Sequence, residues 1–108
     1  MNDQQIQRSI AIKNKYRAMG ADSGKNDWDV SDYLSGMLGD MGDLSKLLMA
    51  KQNLRDIDGD LDAKIKHEIG DCLWSLIIIC KELGIEPSEA LEKTLTDLED
   101  RLGLEKET

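Results

Sequence analysis

The sequence contains no phenylalanine and a single proline, and no stretch alternates β-branched residues over the length of a strand. Little in it would therefore interrupt a helix, and little favours a β-sheet. Alanine, leucine, lysine, glutamate, aspartate and isoleucine dominate the composition, so helix is the expected element. The 108 residues predict one all-α domain over residues 1–108, a bundle of about four helices. Small helical domains often complete their core by self-association, so a homodimer or homotetramer is expected.

Basic residues are also scarce. Fourteen Lys and Arg face twenty-two Asp and Glu, a net charge of -8, which argues against a nucleic-acid polymer as partner because phosphate backbones need a basic face. A nucleotide is still compatible with this charge if a cation mediates between carboxylates and phosphates. The longest apolar run, residues 72–80, is too short to span a bilayer, and "MNDQQIQRSI" lacks the apolar core of a signal peptide. We expect a cytoplasmic protein with no membrane partner.

One histidine and two cysteines cannot form a structural zinc site of the usual kind. Cys72 and Cys80 lie eight residues apart on one predicted helix, about 12 Å along its axis. A disulfide needs Cα atoms within roughly 7 Å. Both cysteines are therefore predicted to be reduced.

Apolar periodicity and turn signals predict four helices, at about residues 3–18, 32–53, 61–83 and 87–101. Gly20 and Gly24 are expected to end the first helix and begin a loop. Asp29 or Ser31 is a candidate N-cap for the second helix. Gly84 suits the C-terminus of the third, and Pro87 suits the first turn of the fourth. Residues 72–80 are apolar on every side except at Ser75, which predicts burial all round and hence a partner subunit.

Two acidic pairs with the same spacing occur on the second and third predicted helices. "MLGDMGDLSKLL" contains Asp40 and Asp43, and "KHEIGDCLWSLIIIC" contains Glu68 and Asp71. Most carboxylates on helices are solvated surface charges, yet these pairs lie on the apolar stripes of their helices. Acidic residues three apart repel each other unless a cation sits between them. Four carboxylates favour a hard cation, Mg²⁺ or Mn²⁺, and we expect His67 to be a neighbour of the site rather than a ligand.

The segments "LGDMGDL" and "EIGDCLW" resemble the MazG-like all-α nucleoside triphosphate pyrophosphohydrolases, which are related to dimeric dUTPases and dCTP pyrophosphatases. The family signature is Glu-x-x-Glu, a variable spacer, then Glu-x-x-Asp, and the resemblance extends from about Trp28 to Arg101. It implies that the four carboxylates bind metal and act in catalysis. The departure is that the first pair is aspartate. Each side chain is one methylene shorter, so the metal would lie nearer the second helix or be reached through water.

The resemblance also implies substrate contacts. Lys51 matches a lysine near the substrate in the dCTP pyrophosphatases, although Ala50 stands where those relatives have a stacking tryptophan. Lys93 matches a lysine that approaches the phosphates, and Arg101 is a further candidate for the same anionic pocket. Trp28 resembles an aromatic residue beside the base, and packing of the loop against the core is an equal alternative for it.

The implied reaction is Mg²⁺-dependent hydrolysis of a nucleoside triphosphate to the monophosphate and pyrophosphate, in house-cleaning or control of the nucleotide pool. Glu68 is one candidate for orienting or deprotonating the attacking water. Two alternatives stay open. A phosphoribosyl-ATP pyrophosphohydrolase is a related enzyme with the same kind of site. A nucleotide-binding or purely structural helical dimer that has lost catalysis is compatible with the aspartates at positions 40 and 43.

Overall fold

A computed structural model describes residues 2–22, 28–53 and 59–104. Within these ranges the chain forms four helices and no strand, which confirms the all-α prediction. The helices are α1 (Asp3–Asp22), α2 (Val30–Lys51), α3 (Leu61–Glu82) and α4 (Pro87–Leu102). Gly24, expected in the first loop, lies outside the described residues.

Local capping interactions set the ends of these helices. Asp29, rather than Ser31, caps α2: its Oδ1 accepts from the Asp32 amide at 3.0 Å, and Asp32 Oδ2 accepts from the Asp29 amide at 3.0 Å. These two bonds form a capping box, which satisfies amides that would otherwise lack partners. Pro87 opens α4 as predicted. Gly84 follows α3 with φ +71°, a left-handed conformation that favours glycine.

The first helix is longer than predicted, since it continues through Gly20 to Asp22. The expectation that Gly20 ends α1 is therefore wrong. A single glycine costs a helix only about 1 kcal/mol relative to alanine, which is too little to terminate it alone. The second helix ends at Lys51. Asn53, two residues later, adopts φ +61°, a conformation that asparagine tolerates better than most residues.

The centre of the fold is an antiparallel pair formed by α2 and α3. Tyr33, early in α2, contacts Trp74, late in α3, whereas Lys51 at the end of α2 pairs with Asp62 at the start of α3. α1 packs across α3, where the ammonium of Lys13 pairs with Glu82. The buried apolar side chains are Ile6, Tyr33, Met37, Leu47, Ile77 and Ile78.

Burial of α3 is one-sided in the single chain. Ile77 and Ile78 are buried and so is Ser75, at 6% exposure, but Leu73 and Leu76 are each 45% exposed. One chain alone therefore does not bury this segment on every side, and its burial by a partner subunit stays a prediction. α3 packs mainly against α2, and its contacts with α1 and α4 are smaller.

The shape of the chain reflects this incomplete covering. Its radius of gyration is 17.2 Å, whereas a compact domain of this length has about 13 Å. α4 presents Leu91, Leu95, Leu98 and Leu102 at helical spacing, all more than 40% exposed.

Both cysteines are free thiols. Within the described ranges, no helix has the length and apolarity needed to cross a membrane.

Candidate metal centre

The antiparallel pairing of α2 and α3 brings the two acidic pairs together. Ligand oxygens of Asp40, Asp43 and Glu68 lie within 4.8 Å of one another. A second set, which shares Glu68, joins ligand atoms of His67, Glu68 and Asp71 within the same distance. Spacing along each helix predicted two pairs on two faces, and the fold turns those faces toward each other. We call the four carboxylates the acidic cluster.

Glu68 is the central member of the acidic cluster. Its side chain is half-buried, and its Oε2 is inaccessible to solvent with no hydrogen-bond partner among the described residues. Burial raises the pKa of the Glu68 carboxyl, and the charges of Asp40, Asp43 and Asp71 raise it further. A buried acceptor without a donor is uncommon in folded proteins, since it loses water and gains nothing in exchange. A bound cation would supply the missing partner.

Asp40 shows the same electrostatic environment from the other helix. Burial raises the pKa of its carboxyl, with further contributions from the charges of Asp71 and Asp43. Asp40 and Asp71 are half-buried, and Asp43 is exposed at the edge of the cluster. Like charges this close oppose ionisation of one another. The arrangement is costly for a purely structural site and suitable for holding a divalent cation.

The donors of the acidic cluster are all carboxylate oxygens, which suits a hard cation such as Mg²⁺ or Mn²⁺. Cys72 lies beside them, but burial, with the charges of Asp40, Glu68 and Asp71, raises the pKa of its thiol. A protonated thiol is a poor ligand at neutral pH. The residues present therefore fit magnesium or manganese better than zinc.

His67 is closer to the cluster than the sequence indicated. Its Nε2 lies 3.1 Å from Oδ2 of Asp71, one turn along α3, and its side chain is 72% exposed. As predicted, it is a partly exposed neighbour of the carboxylates. A ring nitrogen of His67 nevertheless lies within 4.8 Å of carboxylate oxygens of Glu68 and Asp71, so the structure also permits it to act as a ligand, which was not expected.

The predicted phosphate contacts lie elsewhere in the single chain. Lys51 is at the end of α2, with its Nζ 2.7 Å from Oδ1 of Asp62. Lys93 is on α4, with its Nζ 3.5 Å from Asp97 one turn later, and Arg101 is exposed in the last turn of the same helix. None of the three lines the cavity beside the acidic cluster. Their contact with a substrate stays a prediction.

Trp28 packs against the first part of α2. Its ring meets Tyr33 edge to face, with centroids 5.4 Å apart. It also covers Gly36, where a Cβ would come within 3.1 Å of the ring. Gly36 lies one turn before Asp40, so Trp28 sits near the acidic cluster, and 54% of it is exposed. These contacts favour the packing alternative for Trp28, and a role beside a base stays a prediction.

Two lysines that the sequence reasoning missed lie at the cavity next to the cluster. Lys46 and Lys64 line it together with Asp43 and Glu68. Lys46 follows Asp43 by three residues, and Lys64 precedes Glu68 by four. Both spacings correspond to one helical turn on the same face. Extending the acidic stripes by one turn in the sequence would have found them.

Comparison with protein-family models, with curated proteins and with solved structures finds no match to this chain. The resemblance to the MazG-like enzymes therefore depends on the two acidic motifs and their surroundings alone. Family membership stays a prediction.

Proposed function

We propose that this protein is a Mg²⁺-dependent nucleoside triphosphate pyrophosphohydrolase. The observation that carries the proposal is the convergence of Asp40, Asp43 and Glu68 within 4.8 Å, with Asp71 beside Glu68 and a buried Glu68 oxygen that has no hydrogen-bond partner among the described residues. A set of carboxylates of this kind, drawn from two facing helices, is suited to a hard divalent cation. The two motifs that supply it carry the resemblance to the pyrophosphohydrolases.

Asp40, Asp43, Glu68 and Asp71 would hold the ion in this proposal. A bound Mg²⁺ supplies Lewis-acid stabilisation of charge on the phosphate oxygens. The attacking water forms its bond to the α-phosphorus, the bond from that phosphorus to the bridging oxygen breaks, and pyrophosphate leaves. Glu68 is one candidate for orienting this water or accepting its proton.

Self-association belongs to the same proposal. The extended shape, the exposed leucines of α4 and the exposed Leu73 and Leu76 of α3 support a homodimer or homotetramer, because burying such surface stabilises the fold. Light scattering tests this point, and a monomer at micromolar concentration would contradict it. The free thiols of Cys72 and Cys80 support a reducing compartment, the cytoplasm.

The test of the activity is identification of products from a panel of ribo- and deoxynucleoside triphosphates, including dUTP and dCTP, with and without Mg²⁺. We expect a monophosphate and pyrophosphate in equal amounts, formed only with Mg²⁺, and a rate at least about 100-fold lower in Glu68→Gln. The matched control is Glu92→Gln, the same change on the exposed surface of α4. Release of orthophosphate, or equal rates in Glu68→Gln and the parent, would contradict the proposed reaction.

A further inference from the structure

The cavity between α2 and α3 has two chemically different ends. It has a volume of about 550 Å³ and opens to solvent. Asp43 and Glu68 form one end, where it borders the acidic cluster. Lys46 and Lys64 lie toward the connection between the helices, and the apolar side chains of Leu47 and Ala63 lie among them. A single elongated ligand would meet carboxylates at one end and ammonium groups at the other.

A step of one helical turn produces this polarity on both helices. Lys46 lies one turn after Asp43 on α2, and Lys64 lies one turn before Glu68 on α3. Because the helices are antiparallel, both steps lead in the same direction along the pair. One helical turn advances about 5.4 Å, comparable to the extent of a short phosphate chain. The lysines thus flank the cavity at a fixed distance from the acidic cluster.

Lys46 differs from Lys51, the other lysine of α2. The ammonium of Lys51 is held by Asp62 at 2.7 Å. Lys46 forms no ion pair with a carboxylate of the described residues, although Asp43 is one turn away. The Lys64 ammonium lies near Gly59, where a Cβ would be 3.2 Å from its Nζ, so it stands at the N-terminal end of α3. That end also carries the positive pole of the helix dipole.

We infer that Lys46, assisted by Lys64, binds the distal phosphates of an oligophosphate ligand whose proximal end reaches the acidic cluster through Mg²⁺. This inference rests on the proposed function for the metal end of the cavity. It assigns the phosphate tail to Lys46 and Lys64, on the faces that line the cavity. The ligand class is a di- or triphosphate, because one phosphate is too short to contact both ends.

The test is calorimetric titration with inorganic tripolyphosphate, and with orthophosphate for comparison, at saturating Mg²⁺. We expect tripolyphosphate to bind much more tightly than orthophosphate. Lys46→Gln should weaken tripolyphosphate binding about tenfold, and the double variant Lys46→Gln/Lys64→Gln should weaken it further, since each removes a charge-assisted contact. Lys66→Gln is the matched control. It makes the same change two residues after Lys64, on a face of α3 that does not line the cavity.

Three results would overturn the inference: no tripolyphosphate binding to the parent, equal affinity in Lys46→Gln and the parent, or an equal loss in Lys66→Gln. Circular dichroism confirms folding of the variants, and Lys46 is an exposed side chain. Thermal melting with and without Mg²⁺ distinguishes failure of this inference from failure of the proposed function. If Mg²⁺ stabilises the parent but Lys46→Gln binds tripolyphosphate as tightly as the parent does, this inference alone is refuted. If Mg²⁺ does not raise the melting temperature of the parent, the proposed function is refuted.

Discussion

The α2–α3 pair contains two clusters of side chains. They differ in whether contacts within the protein satisfy their polar and charged groups. The first cluster lies at the end of the pair where α2 begins. It is a chain of edge-to-face ring contacts, with centroids 5.4–6.2 Å apart, formed by Tyr16, Trp28, Tyr33 and Trp74. The indole Nε1 of Trp74 donates to the backbone oxygen of Ser9 on α1 at 3.2 Å. Tyr33 is buried and the indole nitrogen of Trp74 has its partner, whereas Tyr16 and Trp28 remain more than half exposed. This aromatic cluster stabilises the fold without any ligand.

The acidic cluster, one to two turns further along the same helices, is in the opposite condition. Its carboxylates repel each other, and Glu68 Oε2 is buried without a hydrogen-bond partner among the described residues. Sites that cost stability in this way are frequently functional sites. We therefore expect the aromatic cluster to contribute to stability, and we propose the acidic cluster as the functional site. Each prediction below changes one cluster and asks whether the other responds.

The largest effect on stability is expected from Trp74→Ala. Trp74 joins α1, α2 and α3 through Tyr16, Tyr33 and Ser9, so its removal should lower the free energy of unfolding by about 3 kcal/mol. Chemical denaturation measures this change in the free energy of unfolding. Trp28→Ala, at a ring that is 54% exposed, should cost clearly less. The shift in melting temperature on adding Mg²⁺ should be unchanged in Trp28→Ala. An equal loss in both variants would show that the aromatic contacts do not centre on Trp74.

A smaller effect of opposite sign is expected from Glu68→Gln without Mg²⁺. Removing one charge from the acidic cluster should stabilise the protein by about 0.5 kcal/mol at pH 7, since like charges one turn apart destabilise helices by such amounts. Glu92→Gln on α4 is again the control and should have no such effect. Destabilisation by Glu68→Gln in the absence of metal would mean that the carboxylate has a structural partner.

The pH dependence of that difference follows from the raised pKa of Glu68. The folded protein binds this proton more tightly than the unfolded chain does, so the destabilising contribution of the charge is fully present above the folded-state pKa. It disappears as the pH falls through the folded-state pKa toward the ordinary value of 4.5. The melting temperatures of Glu68→Gln and the parent, without Mg²⁺, should therefore converge over this range. A difference that grows as the pH falls would contradict the assignment.

Helix identity was readable from the sequence because it depends on local chemistry. The caps at Asp29 and Pro87 and the positive φ of Gly84 involve residues close in sequence. The pairing of the acidic motifs was also foreseeable, since each has the same spacing on an apolar stripe. The exposure of Leu73 and Leu76 in the single chain was not foreseeable. An apolar sequence shows that a surface can be covered but not which segment covers it.

The phosphate contacts show a related limit. Lys51 and Lys93 were chosen from motif order, and the fold places them in ion pairs with Asp62 and Asp97. The spacing of Lys46 and Lys64 from the acidic pairs could be read from the sequence, but their place beside a cavity required the pairing of two helices, because neither helix alone forms the cavity. A cavity is a property of two elements and their register. Sequence spacing defines one element at a time.

The central claim is that the acidic cluster binds a divalent cation, and a titration of the parent, Asp40→Asn and Glu68→Gln with Mg²⁺, followed by thermal melting, tests it most directly. An ion that binds only the folded state raises its stability by mass action. We expect a saturable rise in the melting temperature of the parent, and little or no rise in either variant. The same rise in all three proteins would contradict the claim.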